Sequence, residues 1–174
     1  MKVVVIGCGR VGATVAAELA ARGETVSVVD IRRSAFRRLP ATFSGLAITG
    51  SGTDADVLQS AGAETADLVM ALTEGDNRNV LAAQLAKHTF GVPRVIAKIN
   101  DPLRADAYRT LGLETICRTV ILADALVASV AGGVEATNGM VLAPTAEPML
   151  GAPPAGSLAD DQARAAADQM VDEG

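Results

Sequence analysis

A glycine-rich loop follows directly after the first apolar run of the chain. The run extends from Val3 to Ile6, and the loop carries Gly7, Gly9 and Gly12. In an α/β protein, the first of these glycines permits a tight turn, the second lets a phosphate approach the backbone, and the third lets the next helix pack on the strand. The loop therefore predicts a phosphate-binding site at the amino end of the first helix.

A carboxylate ends the second apolar run. This run extends from Thr25 to Val29 and is followed by Asp30, roughly 20 residues after the glycine loop. At that spacing an acidic side chain accepts hydrogen bonds from both hydroxyls of an adenosine ribose and repels the 2′-phosphate of NADP. We therefore expect NAD or NADH as the ligand, with ATP or ADP as the alternative, because Asp30 suits any unphosphorylated ribose.

Continuously apolar runs alternate with amphipathic or alanine-rich segments along the first 131 residues. Strands that are apolar throughout are typical of a parallel sheet covered by helices on both faces. The sequence therefore predicts an α/β fold, a Rossmann-like doubly wound parallel sheet. The predicted strands lie near residues 3–6, 25–29, 46–49, 68–72, 95–99 and 114–117.

Polar residues mark the predicted helix starts. Asp54 is expected to cap the third helix, Asp76 or Asn77 the fourth, and Asp101 the fifth. The last helix, at about 119–131, is apolar on nearly all sides. A helix of that kind needs to be buried, and packing against a second subunit would bury it.

The composition changes at Gly132. Seven acidic residues and one basic residue follow it, which gives this segment a charge of −6, whereas the whole chain has −5 and residues 1–131 have +1. The sequence predicts a globular domain over 1–131 and an acidic tail rich in Pro, Gly and Ala over 132–174, mostly disordered, in which 158–171 can form a short helix. A near-neutral domain with one Tyr, three Phe and no Trp offers neither a basic stripe nor a stacking surface, which excludes nucleic-acid binding.

The two cysteines, Cys8 and Cys117, are far apart and lack metal-ligand spacing. This pattern argues against a disulfide framework and a zinc site, and it indicates a reducing compartment. The sequence opens with a core strand and has no run of about 18 apolar residues. We therefore expect a cytoplasmic protein.

Further motifs add to the glycine loop. They are Arg10 in the loop, Gly50, Thr53 and Asp54 after the third strand, Asp76 and Asn79 at the fourth helix, 95–98 on the fifth strand, and Leu111 with Gly112 before the sixth. Together they resemble the TrkA-N or RCK amino-terminal family over about 1–131. The resemblance implies a non-enzymatic cytosolic subunit that senses a nucleotide, forms dimers or octameric rings, and gates a Trk- or Ktr-type potassium transporter at the inner face of the cell membrane.

The resemblance also implies the ligand contacts. The glycine loop would hold the phosphates, Asp30 the ribose, the segment after the third strand the adenine, and the segment after the fourth strand the distal half. The expected binding residues are Gly7, Cys8, Gly9, Arg10, Val11, Gly12, Asp30, Ile31, Arg32, Ser51, Gly52, Thr53, Leu72, Thr73 and Lys98. Ser51 stands where the family commonly has Asp, and Lys98 stands where Arg is frequent.

Members of this family usually continue into a carboxy-terminal lobe, whereas here the acidic tail follows. We therefore expect a minimal nucleotide-binding subunit, acting alone or in a ring with a full-length homologue. Two alternatives stay open: an NAD-dependent oxidoreductase, which would need a substrate domain and an acid or base at the nicotinamide, and a catalytically silent structural partner of a homologue. The one histidine, His88, lies late on the fourth helix and is poorly placed for that chemistry.

Overall fold

Six parallel strands form one sheet, with helices on both faces, in the computed structural model, which describes residues 1–130. The strand order β3-β2-β1-β4-β5-β6 confirms the predicted doubly wound fold. The strands are β1 (Lys2–Ile6), β2 (Thr25–Asp30), β3 (Leu46–Thr49), β4 (Leu68–Ala71), β5 (Arg94–Ile99) and β6 (Glu114–Cys117). The helices are α1 (Arg10–Ala21), α2 (Ala55–Ser60), α3 (Asp76–His88), α4 (Pro102–Thr110) and α5 (Arg118–Val130).

The two faces of the sheet support separate cores. Along β1, Val3 and Val5 point to one face, and Val4 and Ile6 point to the other. The first face packs on small residues of α1, whereas the second packs on α2, α3 and α4. This arrangement explains why β1 is apolar at every position after Lys2.

Two of the three predicted helix caps are confirmed. The Asp54 carboxylate accepts a hydrogen bond from Asp56 N at 2.9 Å, and the Asp101 carboxylate accepts one from Leu103 N at 2.9 Å. The cap predicted at Asp76 or Asn77 is wrong, because Gly75 occupies the N-cap position of α3. The Asp76 carboxylate instead accepts from the backbone and side-chain nitrogens of Asn100, at 2.9 and 2.7 Å. It therefore ties α3 to the loop after β5.

Helix α5 starts at Arg118, and within the described residues none of its side chains is buried. Leu126 is 59% exposed and Val130 is 89% exposed. The predictions for the tail, 132–174, and for a helix at 158–171 lie outside the described residues. Within residues 1–130, no helix combines the length and the apolar character that a membrane crossing requires.

Asn79, near the start of α3, holds the carboxyl ends of β4 and β5 together. Its side chain is fully buried. The side-chain oxygen accepts from Thr73 N at 2.8 Å and from the Thr73 hydroxyl at 2.7 Å. The side-chain nitrogen donates to Thr73 O at 3.0 Å and to Lys98 O at 2.7 Å. One amide therefore satisfies polar groups of two strand ends that would otherwise be buried without partners.

Replacing Asn79 should cost much of the stability of the domain. We expect Asn79→Ala to lower the free energy of unfolding by about 2–4 kcal/mol, because it leaves several buried donors and acceptors unpaired. Urea denaturation followed by circular dichroism measures the change. Asn77→Ala, an exposed position on the same helix, is the control and should change it by less than about 0.5 kcal/mol. Equal effects of the two substitutions would contradict this assignment.

Candidate functional site

A cavity of about 260 Å³ lies at the carboxyl edge of the sheet. The strand order reverses at β1 and β4, and in open α/β sheets ligands bind at this switch point. Ten of the predicted binding residues line the cavity: Gly7, Gly9, Asp30, Ile31, Arg32, Ser51, Gly52, Thr53, Leu72 and Thr73. It is also lined by six residues that were not predicted: Ile6, Val29, Gly50, Glu74, Arg78 and Ala82.

The glycine loop forms a tight turn between β1 and α1. Gly7 has φ +101°, a left-handed conformation that favours glycine, and its N–H donates to Val29 O at 2.7 Å. A Cβ atom on Gly12 would overlap Gly7 O, so α1 can approach the loop this closely only with glycine at that position. Above Gly9 the space is open, because a Cβ there would meet only Glu74 Oε1, at 4.0 Å. A ligand can therefore reach the backbone at Gly9.

The amino end of α1 adds unpaired donors beside Gly9. Gly9 is the N-cap and makes no side-chain capping bond. The N–H groups in the first turn of a helix have no intrahelical acceptor, and the helix dipole makes this end positive. The amides of Arg10, Val11 and Gly12 occupy this turn. Such an end of a helix favours a phosphate.

The Asp30 carboxylate is fixed by backbone groups. It is 9% exposed, and it accepts from Cys8 N at 2.8 Å and from Arg32 N at 2.9 Å. The Arg32 guanidinium lies farther away, with Nε at 3.9 Å, and is largely exposed. The two amides orient the carboxylate at the cavity wall, and its remaining lone pairs are of the kind that accept hydrogen bonds from a ribose diol.

The loop after β3 closes the cavity beyond Asp30. The Ser51 and Thr53 hydroxyls lie 2.8 Å apart, and Thr53 N donates to Ser51 Oγ at 3.3 Å. Serine therefore organises this turn in the place where the resemblance expects Asp. This part of the cavity wall therefore presents hydroxyl and amide groups, and the Ser51 and Thr53 side chains add no charge to it.

Five of the predicted binding residues do not line the cavity: Cys8, Arg10, Val11, Gly12 and Lys98. The Cys8 side chain is buried on the α1 face of the sheet, and its thiol donates to Ala35 O at 3.5 Å. Burial raises the pKa of Cys8, and the nearby Asp30 charge raises it further. The thiol therefore stays protonated, and only the backbone N–H of this residue points toward the site, through Asp30.

Lys98, near the end of β5, is 5% exposed. Burial lowers the pKa of its ammonium group; the carboxylates of Glu74 and Asp76 oppose that shift, and Arg118 adds to it. Lys98 therefore lies close enough to Glu74 for their charges to interact, but it is buried and does not line the cavity.

Glu74 and Arg78 are the charged lining residues that sequence reasoning missed. Both side chains are exposed, at the end of the cavity opposite Asp30. Glu74 directly follows the predicted Thr73, and the rule that ligands bind at the carboxyl ends of parallel strands would have included it. Among the described residues, no cluster of His, Cys, Asp and Glu has the arrangement of a metal site. The cavity thus combines amide donors, hydroxyls and two carboxylates, a set suited to binding phosphates and sugar hydroxyls.

Curated relatives share this region of the chain. The Trk system potassium uptake protein TrkA of Streptomyces coelicolor is 44% identical over 124 residues, which cover 71% of this chain and 56% of that protein. The chain thus spans about half the length of this relative and of the TrkA homolog of Pyrococcus abyssi, and less than a quarter of the TrkA of Vibrio alginolyticus.

Solved structures share the fold. The Kef CTD of Shewanella denitrificans in its AMP-bound form superposes with a TM-score of 0.63, at 24% identity, over 78% of this chain and 84% of that chain. The GsuK channel bound to NAD superposes with a TM-score of 0.62, at 22% identity, over 72% of this chain and 23% of that chain.

The model of one protein family, the TrkA-N domain, matches residues 3–119. These residues include all six strands apart from Lys2, the first residue of β1, and they include the glycine loop and every residue that lines the cavity. The chain therefore belongs to the TrkA-N domain family.

Proposed function

We propose that this protein is a nucleotide-sensing regulatory subunit of a Trk- or Ktr-type potassium uptake system. The observation that carries the proposal is the Asp30 carboxylate, held by two backbone amides at one end of a cavity whose floor is the open backbone of Gly9. Residues 1–131 would form the nucleotide-binding domain, with the fifteen residues predicted from the sequence in or directly behind the site. The name of the Streptomyces coelicolor relative supports potassium uptake as the process.

The ligand of this site is proposed to be NAD or NADH, with ATP or ADP as the alternative. Asp30 would accept hydrogen bonds from the adenosine ribose, and the amides of the first turn of α1 would hold the phosphates. The fold is shared with structures named as AMP-bound and NAD-bound, which supports an adenine nucleotide as the ligand class.

Regulation in this proposal depends on unequal affinity. A nucleotide shifts an equilibrium between two arrangements of subunits only if it binds one of them more tightly. The subunit would act in the cytoplasm, bound to the transporter at the inner face of the membrane, and would bind nucleotide without transforming it. Steady oxidation of NADH with a small carbonyl compound would instead indicate an oxidoreductase.

We further propose that α5 packs against a second copy of the chain or a full-length homologue, as a dimer or as part of a ring. Six large apolar side chains of α5 are at least 40% exposed: Val120, Ile121, Leu122, Leu126, Val127 and Val130. Exposed apolar surface of this extent on one helix is typical of an interaction surface.

A thermal-shift panel tests the ligand class. A nucleotide that binds only the folded state raises the melting temperature by mass action. We expect NADH, NAD, ATP or ADP to raise it at millimolar concentration and NADP to raise it least, because Asp30 repels the 2′-phosphate. If none of the five nucleotides changed the melting temperature, the proposed function would be wrong.

Asp30→Asn tests the ribose contact. The substitution preserves size but removes the charge, so we expect the Kd for NADH, measured by calorimetry, to rise on the order of tenfold or more. Discrimination against NADPH should fall at the same time. Asp106→Asn, at an exposed position of α4, removes the same charge and should leave both affinities unchanged. Unaltered NADH binding by the Asp30 variant would contradict the assignment.

Leu126→Glu tests the proposed subunit contact. A charge in a buried apolar interface is costly, so we expect sedimentation velocity to show a dimer or larger species for the wild type and a monomer for the variant. Leu46→Glu is the matched control, since Leu46 is 52% exposed but lies on β3, at the opposite edge of the sheet. A monomeric wild type would refute the contact.

A further inference from the structure

The structure assigns to Glu74 a role that the sequence did not indicate: we propose that its carboxylate binds the second sugar of a dinucleotide and thereby selects NAD or NADH over ATP. This inference rests on the proposed function, because it names the ligand preference of the same cavity. The juxtaposition that carries it is two carboxylates, Asp30 and Glu74, on opposite sides of one glycine loop.

The strand order creates that juxtaposition. Asp30 ends β2 and Glu74 follows β4, and these strands flank β1, which runs into the loop. Neighbouring strands lie about 5 Å apart, so the ends of β2 and β4 are separated by roughly 10 Å. The Asp30 carboxylate contacts Cys8 N at 2.8 Å, and Glu74 Oε1 lies 4.0 Å from the position of a Cβ on Gly9. The carboxylates thus stand on either side of the predicted phosphate site.

A dinucleotide matches this arrangement. Its diphosphate joins two riboses, and each ribose presents a pair of hydroxyls that a carboxylate can accept from. If the diphosphate lies on the amides beside Gly9 and one ribose lies at Asp30, the second ribose extends toward the residues after β4. Within residues 1–130 the Glu74 carboxylate has no hydrogen-bond or ion-pair partner, so its oxygens are available to that ribose.

A nucleoside triphosphate does not match as well. In the same pose, its terminal phosphate would face Glu74, and two negative charges a few ångströms apart repel each other. Lys98 is buried and does not line the cavity, so its side chain does not contact the phosphate in this pose. Arg78 lines the cavity and is exposed like Glu74, so solvent screens both charges. Of the two, Glu74 is the side chain that lies beside Gly9, where the phosphates are expected.

The test compares Kd values of AMP, ADP, ADP-ribose, NADH and ATP for the wild type, Glu74→Gln and Glu64→Gln. ADP-ribose carries the second sugar without the nicotinamide. AMP lacks both the second sugar and the further phosphates, so it does not extend to Glu74. Glu64 precedes β4 whereas Glu74 follows it, and both are exposed. The control therefore removes the same charge at the opposite end of the strand.

We expect Glu74→Gln to reduce the preference for ADP-ribose over ADP on the order of tenfold, to strengthen ATP binding without Mg²⁺, and to leave AMP binding unchanged. Glu64→Gln should change none of these. An unaltered ADP-ribose preference would overturn the role of Glu74, as would Mg²⁺-dependent ATP binding that is lost in Glu74→Gln, since the carboxylate would then serve a cation. If AMP and ADP bound to no variant, the proposed function itself would fail.

Discussion

The hydrogen bond from Cys8 N to the Asp30 carboxylate joins the two parts of the chain on which the cavity depends. It connects the glycine loop after β1 to the end of β2, at a distance of 2.8 Å and away from solvent. A buried carboxylate without such donors would be costly, and a glycine loop without such an acceptor would leave an amide unpaired. Each group therefore satisfies the other, and the position of the loop and the orientation of the carboxylate are fixed together.

The cavity owes its open floor to a second constraint, the close packing of α1 on the glycine loop. Because Gly12 has no side chain, α1 packs so closely on the loop that a Cβ atom at this position would overlap Gly7 O. This close packing brings the amino end of the helix to the edge of the cavity. The position of the helix, the turn at Gly7 and the exposed backbone at Gly9 are consequences of one packing contact. The polar walls are then built by loops after β2, β3 and β4, which can vary without disturbing the floor.

Much of this arrangement could be predicted from local patterns. The strands were predictable because a strand buried on both faces is apolar throughout. The caps at Asp54 and Asp101 were predictable because each carboxylate accepts a hydrogen bond from an amide only two residues away. The contact of Asp76 could not be predicted, because its partner, Asn100, is 24 residues away in the sequence. Only the pairing of β4 with β5 brings the two residues together. Glu74 was within reach of the sequence, since it directly follows the predicted Thr73 at the carboxyl end of β4. Its position across the loop from Asp30, however, depends on the strand order.

The buried amide of Asn79 has a mechanical consequence. Its side chain links the cavity wall at Thr73 to β5. On the same helix, the Asp76 carboxylate accepts a hydrogen bond from Asn100 N. The Asn100 carbonyl in turn accepts from the Thr119 hydroxyl at 2.6 Å. Hydrogen bonds, together with one turn of α3, thus connect the rim of the cavity to the first turn of α5. A ligand that moved Thr73 toward the cavity would therefore displace α3 and the loop at Asn100, and through them the first turn of the apolar helix α5.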